Sequence, residues 1–382
     1  MEVDEIERNE IHKIFWSLHY NLKSHPHDIT TKEEGLILLK LVALKYGLND
    51  EFNLCLKNFI KEGSKKTKFK KKIITIFEGK SGFNYFLDAG LFDFMDKLSA
   101  SLALSTMETL DRLEFKNLTT HIGCILDASL NFFKNLEIYQ LKSNYDIESS
   151  ALSDFWENII YIKNNSKVLF PHLMNFKSVL KIIDKYKLQN VEFSILDINH
   201  IKIEKFKLYC ELFDLGNTNI KCCDWLNDEE IIHRFCGYFD TIINMPAMNS
   251  KVTVKIPDPE SYPVSNGKVR NSQDLEIEKS LSCLNSKGSS FTLVPINTLF
   301  NSNKNTKNLR EYLVKKSLIK RVINLPNGIL NGTFLNPAII EISRSPSTDI
   351  QFSDTTNCFE KISRTQLEFN KNKSKEFTKI LI

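Results

Sequence analysis

Glycine is scarce in this sequence, with 13 residues among 382, about half of the usual share of about 7%. Glycine permits tight turns of the backbone at places where a Cβ would collide, so its scarcity matters for any loop that must turn closely around a ligand. The eight cysteines form no C-x-x-C pair, which argues against a disulfide framework and predicts a reduced, cytoplasmic chain. No apolar run approaches about 18 residues, and the acidic start does not fit a signal peptide, so we expect no membrane partner.

Neither sign of charge dominates: 51 basic residues oppose 47 acidic ones, and the net charge is +4. This balance does not establish a nucleic-acid partner, but it permits a local basic patch. Seven of the twelve residues 61–72 are lysines. The run either contacts DNA phosphates or is a solvated charged loop. The predicted DNA contacts are Lys65, Lys66, Lys68, Lys70, Lys71 and Lys72.

Histidine and cysteine form no recognisable metal site. Four histidines lie between residues 12 and 27, but no carboxylate or cysteine accompanies them at ligand spacing. The adjacent cysteines at 222 and 223 face opposite ways on a strand, so they are poorly placed to reach one ion. We predict no metal and interpret the cysteines as small buried apolar residues.

Hydrophobic periodicity divides the chain into two kinds of sequence. Through about residue 145, apolar residues such as Phe15, Leu18 and Leu22 recur at helical spacing. From about residue 150, short apolar strands alternate with helices, which predicts a doubly wound, Rossmann-like α/β sheet. The expected order is an all-α N-terminal domain at 1–148, the α/β domain at 149–345 and a C-terminal extension at 346–382.

One predicted strand, Thr241–Ile243, ends in Asn244-Met245-Pro246. The proline makes residue 245 extended and starts a loop at the carboxyl end of the strand. Ligands bind at that end in open α/β sheets. The other predicted strands are 168–170, 191–196, 219–223, 290–294, 319–324 and 338–343, with a short piece at 350–354.

Three segments in the last third carry the most specific pattern: Ser290–Pro295, Leu309–Leu313 and Val322–Gly328. They match a strand that ends in Val-Pro, a helix that contains arginine, and a Leu-Pro-x-Gly turn. In order and spacing the sequence resembles the adenine-methylating DNA methyltransferases, specifically the modification subunits of type I restriction–modification systems. The resemblance covers residues from about 166 to about 367 and implies fold and ancestry, but not activity.

The resemblance implies S-adenosylmethionine as the methyl donor, held across the first three strands. Asp197 matches the acid that accepts hydrogen bonds from the ribose, and Asp224 matches the acid that meets the adenine amino group. Carboxylates at strand ends suit a nucleoside. Either aspartate taken alone is equally typical of a turn or helix cap.

The cofactor loop departs from the family pattern. Pro171 is the one residue kept from Asp-Pro-x-x-Gly-x-Gly. Phe170 stands in the acidic position, and Met174 and Phe176 stand where the family has glycines. Bulky side chains are unsuited to positive φ, so we expect these three residues to obstruct the cofactor space.

The catalytic motif is kept in part. In the family motif Asn-Pro-Pro-Phe/Tyr, the asparagine oxygen and the next carbonyl accept the N–H bonds of a flipped adenine, and the aromatic ring stacks on the base. Asn244, Met245 and Pro246 match these acceptors and the second proline. Ala247 stands in the aromatic position and cannot stack, a loss of about 1–3 kcal/mol.

These features predict a methyltransferase-like subunit that is catalytically degenerate, either with S-adenosylmethionine as its cofactor or with none. It would bind DNA and the specificity or other subunits of a restriction–modification-like or defence complex. An active adenine-N6 DNA methyltransferase that uses S-adenosylmethionine through a divergent loop is the alternative. A module for some other nucleotide is a third interpretation.

Overall fold

Short strands alternate with helices in the second half of the chain, and the predicted α/β class is confirmed. The computed structural model describes residues 5–23, 38, 40–42, 45, 49–61, 71–73, 75, 98–112, 125, 128–129, 132, 149–173, 176–212, 215–228, 231, 234–248, 250–252, 254, 261–265, 270–330, 335–363, 366–370 and 372–373. The chain divides into two compact units, residues 1–145 with 204–214, and residues 146–203 with 215–382.

The N-terminal unit is helical in its described part, with α1 (Glu5–Lys23), α2 (Asn49–Lys61) and α3 (Ala100–Asp111). The apolar stripe of α1 is buried as the spacing predicts, and the Phe15 ring stacks on Phe132 at 5.3 Å between centroids. Trp16 Nε1 donates to His12 Nε2 at 3.1 Å. His19 is buried, with its ring edge against Trp16. Both histidines therefore take part in aromatic packing.

Eight strands form the main sheet of the second unit, in the order β10-β8-β9-β7-β4-β1-β2-β3. β9 runs antiparallel to both of its neighbours, and the other pairs are parallel. The strands are β1 (Lys167–Phe170), β2 (Glu192–Asp197), β3 (Thr218–Cys222), β4 (Phe239–Asn244), β7 (Leu284–Pro295), β8 (Ile319–Asn324), β9 (Pro337–Ser343) and β10 (Gln351–Asp354). Two smaller ladders pair β5 (Lys251–Val252) with β6 (Arg270–Asn271) and β11 (Phe359–Ser363) with β12 (Gln366–Phe369).

The described helices of this unit are α4 (Ser150–Ile159), α5 (Phe176–Tyr186), α7 (Ser272–Cys283) and α8 (Lys304–Lys315), while α6 (His200–Leu212) begins in this unit and continues into the first one. β1, β2 and β4 are almost entirely buried, as expected for parallel strands that are covered on both faces. The strand order reverses at β1, which pairs with both β2 and β4. Such a switch point opens a crevice at the carboxyl ends of the strands.

α7 is buried on all sides, including its charged residues. Leu275 belongs to one core cluster, while Ile277 and Leu281 belong to a second one. A helix that contributes to two clusters has no face left for water. Protein groups supply hydrogen bonds to its acids; Asp274 Oδ2, for example, accepts a 2.8 Å hydrogen bond from Thr306 Oγ1.

The segment between β5 and β6 is described at Val254 and at residues 261–265, most of which are buried. Tyr262 is completely buried and donates from its hydroxyl to the Leu226 carbonyl at 2.9 Å. The backbone N–H groups of Val264 and Ser265 donate to Glu278 Oε2 at 2.9 and 3.0 Å. Residues 261–265 thus cover α7.

The chain beyond residue 345 is structured in its described part. β10 extends the main sheet beside β8. Phe359 and Phe369 of the β11–β12 hairpin pack on Phe155 of α4, with ring centroids 5.5 and 5.6 Å away. Within the described residues, no helix has both the length and the apolar content needed to cross a bilayer.

Gly288 lies where β7 approaches β4 most closely. A Cβ built there would lie 2.7 Å from the Phe239 carbonyl oxygen and 3.2 Å from that of Asp240. We expect Gly288→Ala to lower the free energy of unfolding by about 1–3 kcal/mol, because the backbone must shift to relieve the overlap. Gly216→Ala is the matched control, since no described atom lies within 4 Å of its Cβ. Urea unfolding measures the free energy of unfolding of both variants. Equal losses in the two variants would contradict the close approach of Gly288 to the β4 backbone.

Candidate functional site

The carboxyl ends of β1, β3 and β4 bring three polar side chains to one place at the switch point. His172 follows β1, Trp225 follows β3, and Asn244 ends β4. α7 brings a fourth side chain, Glu276, into contact with all three. We call these four residues the strand-end network.

Glu276 is the centre of the strand-end network and is 2% exposed. Its Oε1 lies 2.6 Å from His172 Nε2. Its Oε2 accepts from Trp225 Nε1 at 2.6 Å and from Asn244 Nδ2 at 3.2 Å. A buried carboxylate is costly unless donors surround it, and here three side chains supply them.

The side-chain oxygen of Asn244 takes no part in the hydrogen bonds of the strand-end network. Nδ2 donates to Glu276 Oε2 and to Ser280 Oγ, both at 3.2 Å. Oδ1 is buried and has no hydrogen-bond partner among the described residues. An unsatisfied buried acceptor costs about 1–3 kcal/mol. The atom that the resemblance assigns to the adenine amine is therefore an acceptor without a donor.

His172 connects the strand-end network to the surface, since 24% of its side chain is exposed. Burial lowers the pKa of His172, but the charge of Glu276 and the hydrogen bond to it outweigh burial, so the pKa is raised above its ordinary value. The contact with Glu276 therefore favours the charged form of His172.

The raised pKa of His172 predicts a pH dependence. Its contribution to stability is fully present below the ordinary histidine value of about 6.5 and is lost as the pH rises through the higher folded-state pKa. We expect the stability difference between the wild type and His172→Gln to shrink from about pH 6 to about pH 9. Urea unfolding across this range measures it, and a constant difference would contradict the ion pair.

Asp197, at the end of β2, is occupied by backbone groups. Oδ2 accepts from the Leu173 N–H at 2.9 Å and Oδ1 from the Asn199 N–H at 2.7 Å. Lys202 Nζ holds the Leu173 carbonyl at 3.3 Å. The carboxylate is 6% exposed. The acid that the resemblance assigns to the ribose is thus hydrogen-bonded to the loop that should cradle the donor.

Asp224 has the geometry of a turn. Its Oδ1 accepts from the Leu226 N–H at 3.2 Å and its Oδ2 from Asn227 Nδ2 at 2.8 Å. Its backbone carbonyl accepts from the N–H groups of residues 227 and 228. These are the bonds of an Asx turn. Asp224 is half-buried, so part of its carboxylate faces solvent.

Apart from His172, the described residues of the loop after β1 are buried. Pro171 and Leu173 are buried, and Phe176 begins α5 with 8% exposure. The Phe170 ring is fully buried and stacks on Phe193 at 6.3 Å. Met174 lies outside the described residues. The obstruction predicted for residues 170, 174 and 176 stays a prediction.

The segment after β4 is closed. Asn244, Met245 and Pro246 are buried, while Ala247 is exposed. The Ala247 carbonyl accepts from Ser250 Oγ and from Ser272 Oγ at the start of α7. These bonds fix the loop against α7. A base would reach Asn244 only after this region opens.

The predicted lysine patch lies largely outside the described residues, which include Lys71 and Lys72 but not Lys65, Lys66, Lys68 or Lys70. Lys71 and Lys72 are helical and exposed. Within the described part of the chain, no group of three or more His, Cys, Asp or Glu residues could hold a metal ion.

Sequence reasoning missed Glu276 although a signal was present. Asp274, Glu276 and Glu278 alternate with Leu275 and Ile277. In a helix, residues four apart share a face and residues two apart do not. Glu276 must therefore face away from the other two acids, and no single polar face can take all three to water.

Comparison with known proteins identifies the fold. The family model described as N-6 DNA methylase matches residues 184–382. A type I restriction–modification methyltransferase subunit from Streptococcus thermophilus is 14% identical, with a TM-score of 0.69 over 98% of this chain and 93% of that chain. A protein described as the modification subunit of a type I restriction enzyme, from Vibrio vulnificus YJ016, is 12% identical, with a TM-score of 0.67 over 98% and 89%.

A third structure, described as a class I S-adenosylmethionine-dependent methyltransferase from Listeria monocytogenes, is 14% identical, with a TM-score of 0.53 over 80% of this chain and 91% of that chain. No curated protein matches the sequence. Similarity at these identities establishes the fold alone. The family match covers just over half of the chain. The predicted resemblance is therefore confirmed, and the chain belongs to the N-6 DNA methylase family.

Proposed function

We propose that this chain is a methyltransferase-fold subunit that does not transfer methyl groups efficiently. It would act in the cytoplasm as a DNA-binding or assembly component of a restriction–modification-like or other defence complex. The similar Streptococcus thermophilus protein is itself a subunit of a type I restriction–modification system. Specificity or other subunits would choose the DNA sequence.

The observation that carries this proposal is the occupation of the strand ends by the protein's own groups. Both oxygens of Asp197 accept backbone N–H bonds, and Glu276 fills the space between His172, Trp225 and Asn244. S-adenosylmethionine does not fit this arrangement, because Asp197 is 6% exposed and its carboxylate is directed at the Leu173 and Asn199 N–H groups, which leaves it little access to the ribose hydroxyls. Ala247 adds a second, independent defect, since it cannot stack on a flipped base.

A methyl-transfer assay tests the proposal. The chain is incubated with adenine-containing DNA and S-adenosylmethionine labelled in the methyl group. The amount of label in the DNA is then compared with the amount that the Asn244→Ala variant transfers. We expect the two proteins to be indistinguishable. Label that appears with the wild type and disappears with Asn244→Ala would establish an active enzyme and overturn the proposal.

An active adenine-N6 methyltransferase is the second candidate, and one observation favours it. Asn244 Oδ1 is buried without a partner among the described residues, which is the state of an acceptor that awaits a ligand N–H. In this candidate Asn244 and the Met245 carbonyl would accept the amine, and Asp197 and Asp224 would hold the donor after the loop at residues 171–173 moves away.

DNA binding by the lysine run has its own test. Replacing Lys65, Lys66, Lys68, Lys70, Lys71 and Lys72 by Gln removes six positive charges from one segment. We expect a shallower dependence of DNA affinity on salt, because each phosphate contact adds about 0.9 to the slope of log K against log salt. Fluorescence anisotropy with a labelled duplex measures this slope. An unchanged slope would show that the run is a solvated loop.

A further inference from the structure

β10 forms one edge of the main sheet, where it pairs with β8 over Gln351–Asp354. Among the strands of the described chain, none pairs with its other side. Phe352, in the middle of β10, is 77% exposed. Proteins commonly protect a sheet edge with proline, lysine or a bulge. β10 contains neither residue, and its register with β8 is unbroken, so this edge has none of these three protections.

The backbone groups of Phe352 point out of the sheet. The Thr355 N–H donates to the Asn324 carbonyl of β8 at 3.1 Å. In a parallel ladder, every second residue directs its N–H and C=O groups to the same neighbouring strand. Counted back from Thr355, the residues that bond to β8 are 353 and 351. The N–H and C=O groups of Phe352 therefore face outwards and are available to a further strand.

The side chain of Phe352 continues an apolar row of the core. The strand register places it beside Val322 of β8, which lies beside Ile340 of β9. Both inner residues belong to the core cluster to which α7 and α8 contribute. Ile340 is 4% exposed and Val322 is 7% exposed, whereas Phe352 is 77% exposed. An apolar side chain on an added strand would cover Phe352 as its inner neighbours are covered.

A second copy of β10 has the side chain and the charges that this edge needs. Residues opposite each other in an antiparallel pair share a face of the sheet. A two-fold axis at Phe352 would place the two phenylalanines opposite each other and let each backbone N–H donate to the other copy's carbonyl. The same register places Asp354 opposite Ile350. It places Asp349 opposite Thr355, so every acid meets an uncharged residue and no like charges, which would be destabilising, are opposed.

We propose that β10 is a self-association edge, which pairs antiparallel with β10 of a second copy of this chain around Phe352. A two-fold contact of this kind is closed, so it gives a dimer and not a fibre. One short strand from each copy makes a small contact, in the weak class of interfaces below roughly 1,200 Å² of total buried area. We therefore expect a dissociation constant of about 10–100 µM. The association requires neither DNA nor methyl transfer, so it holds or fails independently of the proposed function.

Sedimentation equilibrium of the full chain tests the proposal, at concentrations from about tenfold below to about tenfold above the expected constant. We expect a monomer–dimer equilibrium that Phe352→Lys weakens at least about tenfold, because the lysine charge would be brought against its own copy. Leu188→Lys is the matched control. Leu188 is 92% exposed but lies in a short helical turn outside the sheet, so this variant should dimerise like the wild type.

Three results would overturn the proposal: a chain that stays monomeric throughout, a dimer that Phe352→Lys leaves intact, or an equal loss in Leu188→Lys. A monomeric chain would leave the edge to a strand of another protein.

Cross-linking locates the contact without relying on a loss of association. Phe352→Cys and Leu188→Cys are treated with a short bismaleimide, and the wild type gives the background from the exposed Cys222 and Cys236. Opposed Cβ atoms in a strand pair lie about 4.5–5.5 Å apart, so we expect covalent dimers from Phe352→Cys well above that background and none above it from Leu188→Cys. Equal yields from the two variants would contradict pairing through β10.

Discussion

Glu276→Ala is expected to lower the free energy of unfolding of the α/β unit by about 3–5 kcal/mol, the usual cost of removing one partner from a buried charged network. His172 would lose its counter-ion, and Trp225 and Asn244 would lose the oxygen that accepts their N–H bonds. The side chain is 2% exposed, so water would replace these bonds poorly.

Two variants make this prediction specific to the strand-end network. Glu276→Gln keeps the volume and one acceptor oxygen, so its effect should be smaller than that of Glu276→Ala. Glu311→Ala removes an acid from the exposed face of α8, where the side chain is 51% exposed and pairs with Lys307, and should change stability by less than about 0.5 kcal/mol. Urea unfolding followed by tryptophan fluorescence measures all three. A loss below about 1 kcal/mol for Glu276→Ala would contradict the network.

Tyr262→Ala should have an effect of similar size, about 3–5 kcal/mol, because a large buried ring leaves a cavity when it is removed. The ring is 0% exposed and packs in the cluster that contains Trp225 and Leu275. Lys279 Nζ lies 5.6 Å from its centroid. Burial raises the pKa of the Tyr262 phenol far above its ordinary value, so the hydroxyl stays protonated and donates to Leu226.

Tyr262→Phe separates the ring from the hydroxyl. It keeps the packing and removes the bond to the Leu226 carbonyl, for which we expect a loss of about 1 kcal/mol. Tyr161→Ala is a surface control, since that ring is 69% exposed. If Tyr262→Ala destabilises the protein no more than Tyr161→Ala does, residues 261–265 do not cover α7.

The strands of the main sheet were predictable because their sequences satisfy a local rule. β1, β2, β4 and β8 each contain two or three consecutive apolar residues next to polar ones, and their bounds agree with the prediction to within two residues. The Asn-x-Pro after β4 likewise fixed Asn244 at a carboxyl end. β7 is longer than predicted, since it begins at Leu284 in a polar stretch that includes Asn285 and Lys287. Pairing with β4 stabilises that stretch, and this long-range pairing leaves no pattern in the local sequence.

The contents of the site were not predictable from local pattern. Glu276 and Tyr262 lie in segments whose composition is typical of solvent-facing chain, yet both are buried by contacts with residues distant in sequence. Local sequence was also insufficient to predict the contacts of Asp197. Its position at the end of β2 was predicted, whereas its hydrogen bond to Leu173, 24 residues away, depends on how the loop after β1 folds back.

Calorimetric titration of the chain with S-adenosylmethionine tests the central claim most directly, namely that the protein's own groups occupy the strand ends. We predict no binding at micromolar concentrations, because Asp197 is buried against the loop after β1 and Glu276 fills the space between His172, Trp225 and Asn244. One-to-one binding with a dissociation constant of about 1 µM, which corresponds to a binding free energy of about −8 kcal/mol, would contradict the account.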